Sequence, residues 1–312
     1  MNSSAGTLSL REVASGGKAA LARALSQLER RPDAPETLAL LSDAYRAPRA
    51  HVIGLTGPPG VGKSTLMGAL IDALRAEGRT LGVIAVDPSS ARSGGALLGD
   101  RVRLSRETVD DGVFVRSMAA RDRLGGLADL TIAAMVLMRA VFDVVLIETV
   151  GVGQSETDVA SVADTVVFCV QPGSGDSLQF MKAGIVEIPH IALVTKADMG
   201  KAAQRALADL KGALSLTEQA KEHWPVAVMS VAATEREGIT SFIETLDRHM
   251  AWLEETGRLK AARHAQAELW LRAAVRERFG RDGLRRAGDL KLAGDTSPFA
   301  RMGQVMPDLA QR

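Results

Sequence analysis

Residues 57–64 read Gly57-Pro58-Pro59-Gly60-Val61-Gly62-Lys63-Ser64, a match to G-x-x-x-x-G-K-[ST] that leaves few folds open to the chain. The apolar run His51-Val52-Ile53-Gly54-Leu55-Thr56 leads into it and reads as a buried strand. Ser64 to Leu74 leads out of it and reads as a helix, with Leu66, Ala69, Leu70, Ala73 and Leu74 on one stripe. That strand–loop–helix context is what the motif needs. Glycines let the backbone curl until successive N–H groups converge on one spot. The N-terminus of the following helix adds its positive dipole end there. Lys63 can then reach the β- and γ-phosphates of a nucleotide, and the Ser64 hydroxyl can hold Mg²⁺. Gly57 to Ser64, with Thr65 beside them, are the candidate phosphate-binding residues.

From His51 to about Val231, short apolar segments alternate with helical patterns, the signature of a parallel sheet. Strands are expected at 51–56, 81–86, 113–116, 143–148, 165–170, 190–195 and 226–230, with helices at about 64–76, 100–110, 126–140, 155–162 and 201–214. Short, continuous apolar strands fit a sheet covered on both faces. Ahead of the first strand, Leu10, Val13, Ala20, Leu21, Ala24, Leu25 and Leu28 recur at helical spacing. Leu38, Leu40, Leu41 and Ala44 suggest a second helix, with Pro32 and Pro35 between. After the last strand, Ile239 to Leu253 and Leu259 to Phe279 read as helices. The stretch from Gly280 is richer in Gly, Asp and Arg. It reads as a mobile arm whose scattered apolar residues (Leu290, Leu292, Phe299, Met302, Met306) are available for docking. The expected class is α/β: a mostly parallel central sheet with helices on both faces, as in P-loop NTPases. An N-terminal helical extension (1–48) and a C-terminal helical arm and tail (257–312) flank the nucleotide domain (49–256).

Composition narrows the partners. Of 312 residues, 46% are hydrophobic but only 4% aromatic, so the core must be aliphatic. The formal net charge is +1 and no basic block stands out, which argues against nucleic acid or a membrane surface as the main partner. No apolar run is long enough to span a bilayer, and Met1-Asn2-Ser3-Ser4 lacks the apolar core of a signal peptide. The single Cys169, inside the apolar run Thr165 to Val170, reads as a small core residue. One cysteine excludes a disulfide framework and fits a reducing, cytoplasmic setting.

Three further stretches carry chemistry. Ile147-Glu148-Thr149-Val150-Gly151 ends an apolar strand, the Walker-B place. Glu148 there can join a Mg²⁺ shell or position a water, and the Gly151 N–H can sense the γ-phosphate. Asp87 ends the second expected strand, where a parallel sheet puts its ligand crevice. Asp87 and Asp100 are candidates for the outer Mg²⁺ shell, although Asp is also an ordinary turn former. Val194-Thr195-Lys196-Ala197-Asp198 ends another apolar strand. A carboxylate at Asp198 can accept from both the ring N–H and the exocyclic amine of guanine, a donor pair that adenine lacks. The Lys196 stem can lie along the base plane. Ser230-Val231-Ala232, at the next strand end, would offer a backbone N–H to the guanine oxygen.

V-D-P-S-S-x-R-x-G-G-x-x-L-G-D from Val86 to Asp100, E-T-V-G-V-G-Q-S-E from Glu148 to Glu156, and P-G-x-G-D-x-L-Q from Pro172 to Gln179 resemble the MeaB/MMAA/ArgK GTPases. These are G-protein chaperones of adenosylcobalamin-dependent acyl-CoA mutases. The resemblance implies a GTPase that binds GTP and GDP with Mg²⁺ and forms a homodimer partly through an arm at 257–280. Its client would be methylmalonyl-CoA mutase or a related mutase, with cobalamin bound by the client rather than by this chain. It implies that Ser64, Asp87, Asp100 and Glu148 form the metal and catalytic shell. It also implies that Gln171 to Lys182 is an additional switch loop, with Lys182 acting in client-triggered hydrolysis. Thr195 departs from the family, where an asparagine stands. The expected consequence is a lost brace between base loop and phosphate loop, with guanine preference kept through Asp198 and affinity lowered. Ser117 to Arg123 also differs, which leaves room for a different client mutase. Competing readings are a small-molecule kinase of ArgK type, a nickel- or cobalt-insertion GTPase, and a nucleotide-binding scaffold. The five scattered histidines and one cysteine disfavour metal insertion, and intact Lys63, Ser64 and Glu148 disfavour the scaffold.

Overall fold

The structure, a computed structural model, describes residues 8–87, 110–119, 129–149, 159–173, 189–215 and 223–311. Asp100, Gly151 and Lys182 lie outside these residues, as do nearly all of the helix expected at 100–110 and most of the one at 155–162. For Asp87 the backbone alone is described.

The chain forms two compact units. One comprises residues 51–127 and 143–260 and holds a seven-stranded sheet, every neighbouring pair parallel. Its strands are β1 (His51–Thr56), β2 (Leu81–Asp87), β3 (Val113–Ala119), β4 (Val144–Glu148), β5 (Thr165–Val170), β6 (Ile191–Val194) and β7 (Ala227–Ser230), in the order β3-β2-β4-β1-β5-β6-β7. Alternation along the strands splits the core in two, because successive side chains point to opposite faces. Val167 and Cys169 of β5 join Leu66 and Leu70 of α4 (Lys63–Ala76) and Phe242 and Leu246 of α7 (Ile239–Glu255). Phe168 and Val170 join Ala203, Leu210 and Leu214 of α6 (Lys201–Ser215) on the other face. β1 and β5 keep their expected bounds. β3 runs to Ala119, past the expected end at 116, because it pairs with β2 along its whole length.

The other unit gathers residues 1–50, 128–142 and 261–312. It contains α1 (Leu10–Ser15), α2 (Gly17–Arg30), α3 (Pro35–Arg46), α5 (Asp129–Val141), most of α8 (Arg258–Ala287) and α9 (Pro298–Ala310). Ser9 starts α1 with a capping box, its hydroxyl accepting from Glu12 N while the Glu12 carboxylate accepts from Ser9 N. The stretch beyond Gly280 corrects the expectation of a mobile arm. Gly280 takes φ 66° and kinks α8, which then continues to Ala287. Ser297 accepts from Phe299 N and Pro298 occupies the first turn, starting α9. Leu290, Leu292, Phe299, Met306 and Leu309 are buried, so apolar contacts hold this tail down. Among the described residues no helix is long and apolar enough to cross a membrane.

Candidate nucleotide site

The phosphate loop leaves β1 at Gly57 and enters α4 at Lys63. All three of its glycines take positive φ, and two of them show why glycine is needed. Gly57 has φ 134°, and a Cβ there would stand 2.2 Å from the carbonyl oxygen of Cys169 on β5. Gly62, at φ 99°, is the left-handed residue from which α4 starts, and no side chain caps that helix end. An uncapped helix start of this kind suits a ligand anion. Lys63 is buried, its Nζ donating to Gly57 O (2.7 Å) and Pro58 O (3.0 Å). Curled onto its own loop, the ammonium already sits where phosphate oxygens would compete for it.

Glu148 stands at the end of β4, in register with Leu55 of β1 on one side and Ala85 of β2 on the other. This central position brings its Oε1 to 2.7 Å from Ser64 Oγ, which donates to it. Thr149 follows, its N–H donating to Leu55 O (3.2 Å), so the chain leaves β4 pinned beside the phosphate loop. The β2 register places the Asp87 backbone at this same sheet end. A hydroxyl and a carboxylate in contact form an oxygen-only donor set, the kind a hard cation such as Mg²⁺ takes. Cys169 lies beneath the loop with its thiol pushed up to about 12 by burial, against a downward pull from Lys63. It is an inert core residue, as the sequence suggests.

The base loop is fastened to the phosphate loop, contrary to the expectation at Thr195. The Thr195 hydroxyl lies 2.6 Å from Val61 O and 2.9 Å from Val170 O, and its N–H donates to Val170 O (2.8 Å). A hydroxyl therefore makes the brace that an amide was expected to make, because β5 and β6 bring Val170 and Thr195 side by side. Lys196 takes a left-handed conformation, φ 54°, and its Nζ donates to Gly60 O (3.1 Å) and Gln171 Oε1 (2.6 Å). Asp198 lies in a short 3-10 turn, Ala197–Met199, exposed and without a hydrogen-bond partner among the described residues. Ser230-Val231-Ala232 is engaged differently from expectation. Val231 N donates to Val194 O (2.9 Å), Ala232 N donates to Glu237 O (3.1 Å), and Val231 O accepts from Ala197 N (3.0 Å). In this arrangement the segment braces the base loop, with both of those N–H donors in use.

The structure thus brings Lys63, Ser64, Glu148, Thr195 and Lys196 around one loop. Gln171, expected only as the start of a switch loop, and the backbone of Cys169 also belong there.

The description Methylmalonyl Co-A mutase-associated GTPase MeaB matches residues 21–285. A Pyrococcus horikoshii protein bearing the name of a GTPase is 46% identical over 222 residues, covering 70% of each chain. The mouse methylmalonic aciduria type A homolog, mitochondrial, is 38% identical over 233 residues, covering 74% of this chain and 56% of its own. Among solved structures, a LAO/AO transport system kinase aligns with a TM-score of 0.71 at 26% identity, covering 100% of this chain and 98% of its own.

Proposed function

The chain belongs to the MeaB family of methylmalonyl-CoA mutase-associated GTPases, and from that premise we propose a Mg²⁺-dependent, guanine-selective switch that gates an adenosylcobalamin-dependent acyl-CoA mutase. The observation that carries the reading is the fastening of the base loop to the phosphate loop by Thr195 and Lys196, beside an exposed Asp198. Asp198 reads the guanine N–H pair, and the phosphate loop holds the triphosphate. Lys63 moves from Gly57 O and Pro58 O to phosphate oxygens as charge builds on them. Ser64 and Glu148, joined by Asp87 and Asp100, hold Mg²⁺, which when bound neutralises phosphate charge. GTP orders Gly151 and the segment that follows Gln171 as far as Lys182, and its hydrolysis releases them, changing the grip on the client. The protein acts in the cytoplasm as a homodimer, and cobalamin belongs to the client.

Titration of the purified chain with GTP, GDP and ATP, with and without Mg²⁺, tests the base and metal assignments; ATP binding as tight as GTP would sink the former. Purified methylmalonyl-CoA mutase should raise the GTP hydrolysis rate, and no change with it or any related mutase would remove the client. The likeness to a protein named as a kinase supports a second reading, phosphorylation of a small molecule. Client-stimulated release of inorganic phosphate without a phosphorylated acceptor decides against it.

A further inference from the structure

We propose that Gln171 is a positioning residue for guanine-nucleotide binding: its side-chain oxygen fixes Lys196 and so joins the base loop to the chain that leaves β5. The inference rests on the base-site reading above.

Three consecutive residues at the end of β5 each touch a different part of the site. Cys169 O packs where a Cβ on Gly57 would stand. Val170 O accepts from Thr195 N at 2.8 Å. Gln171 Oε1 accepts from Lys196 Nζ at 2.6 Å. The amide orientation is settled by chemistry, because an ammonium donates only and must face the oxygen.

Lys196 needs this partner. It is one of two non-glycine residues with positive φ among those described, a conformation held by its surroundings. Its stem crosses the phosphate loop, with Cε 3.9 Å from the position of a Cβ on Gly62. A lysine stem gives up much rotamer freedom when it is held, so one acceptor is a weak tether. Gly60 O is the longer contact at 3.1 Å, and Gln171 supplies the shorter, charge-assisted one. The stem so fixed is the surface along which the base lies. Freeing it weakens base binding and leaves the groups around the phosphates, Lys63, Ser64 and Glu148, where they are.

The test compares full-length wild type with Gln171→Leu, which removes the acceptor, and Gln171→Glu, which keeps it. GDP affinity, GDP release, GTP turnover at saturation and thermal midpoint are measured for each. Gln171→Leu should weaken GDP by about tenfold, mainly through faster release, with a smaller effect on GTP turnover at saturation. Gln171→Glu should restore affinity to within about twofold of wild type. Should the leucine variant prove insoluble, Gln171→Ala carries the same expectation. Wild-type affinity in the leucine or alanine variant overturns the inference, as does equal loss in the glutamate variant, which would mark a role for the amide NH2 rather than for its oxygen. A wild-type chain that binds ADP as tightly as GDP removes the base-site reading, and the inference with it.

Discussion

The Thr195 hydroxyl lies 2.6 Å from the carbonyl oxygen of Val61, so a side chain at the end of β6 holds the middle of the phosphate loop. Both groups are buried, and Val170 O competes for the same proton at 2.9 Å. Thr195→Val keeps the shape and removes the hydroxyl donor to the buried Val61 carbonyl, while Val170 O keeps the Thr195 N–H. It should lower unfolding free energy by about 1–2 kcal/mol in urea titrations and weaken GDP. Thr195→Ser keeps the hydroxyl and should retain most of both. Equal stability of Thr195→Val and wild type would show that the contact contributes nothing.

Lys63 Nζ is held at 2.7 Å from Gly57 O, poised above the loop rather than extended into solvent. Its charge should act chiefly as negative charge shifts on the phosphates. Lys63→Ala should therefore reduce single-turnover GTP hydrolysis by about 10²–10³-fold, the usual effect of deleting one aimed donor. A variant that retains wild-type turnover would refute the phosphate-loop assignment.

Gly57 and Gly68 make a matched pair. A methyl at Gly57 would stand 2.2 Å from Cys169 O, on a backbone with φ 134°, whereas one at Gly68, inside α4, would meet nothing within 4 Å. Gly57→Ala should cost about 3 kcal/mol or more from strain and overpacking together. Gly68→Ala should stabilise by about 0.5–1 kcal/mol through helix propensity. Thermal or urea unfolding of both variants reads the difference, and opposite signs are the diagnostic result.

The strands were legible because a parallel sheet buried on both faces writes itself as short apolar runs, and β1 and β5 came out to the residue. The places of the P-loop, Glu148 and the base loop at strand ends were legible because each is a polar motif directly after such a run. The Thr195 brace was not, since its acceptor is a backbone carbonyl 134 residues away. α9 was missed for another reason. Ser297-Pro298 is a helix start, and Phe299, Met302, Val305, Met306 and Leu309 recur at helical spacing, but the Gly, Asp and Arg content masked the pattern. The histidines looked scattered because their meeting depends on topology. His51 begins β1 and His190 precedes β6, so a parallel sheet puts both at one end, where α7 adds His249.

That histidine cluster gives the molecule a predictable acid limit. Thr165 Oγ1 lies 2.6 Å from His51 Nε2 and 2.7 Å from His249 Nδ1, while His190 Nδ1 accepts from Val166 N at 2.9 Å. The His249 ring centroid is 4.3 Å from that of His190 and 4.8 Å from that of Trp224, and its Nε2 has no hydrogen-bond partner among the described residues. A proton on Nδ1, donated to Thr165, leaves only a lone pair at Nε2 among the rings, which costs less than a buried N–H there. Burial lowers the His190 pKa to about 4, with His51 adding to the shift and Asp164 opposing it. Burial and the two neighbouring histidines lower that of His249 to about 2. Both are therefore neutral in the folded chain at pH values where the unfolded chain, with histidines near 6.5, binds protons. The unfolded state then carries more protons, so stability is full above pH 6.5 and falls as pH drops below it. Each histidine contributes a slope of about 1.4 kcal/mol per pH unit, and the pair about 4 kcal/mol of loss by pH 5, above the range where most carboxylates titrate. Urea midpoints between pH 7.5 and 5 measure it. His249→Phe removes one titrating ring and should roughly halve the slope in that window, whatever it does to stability at neutral pH. A wild-type chain whose stability is flat from pH 7 to 5 would mean that these rings exchange protons freely in the folded state.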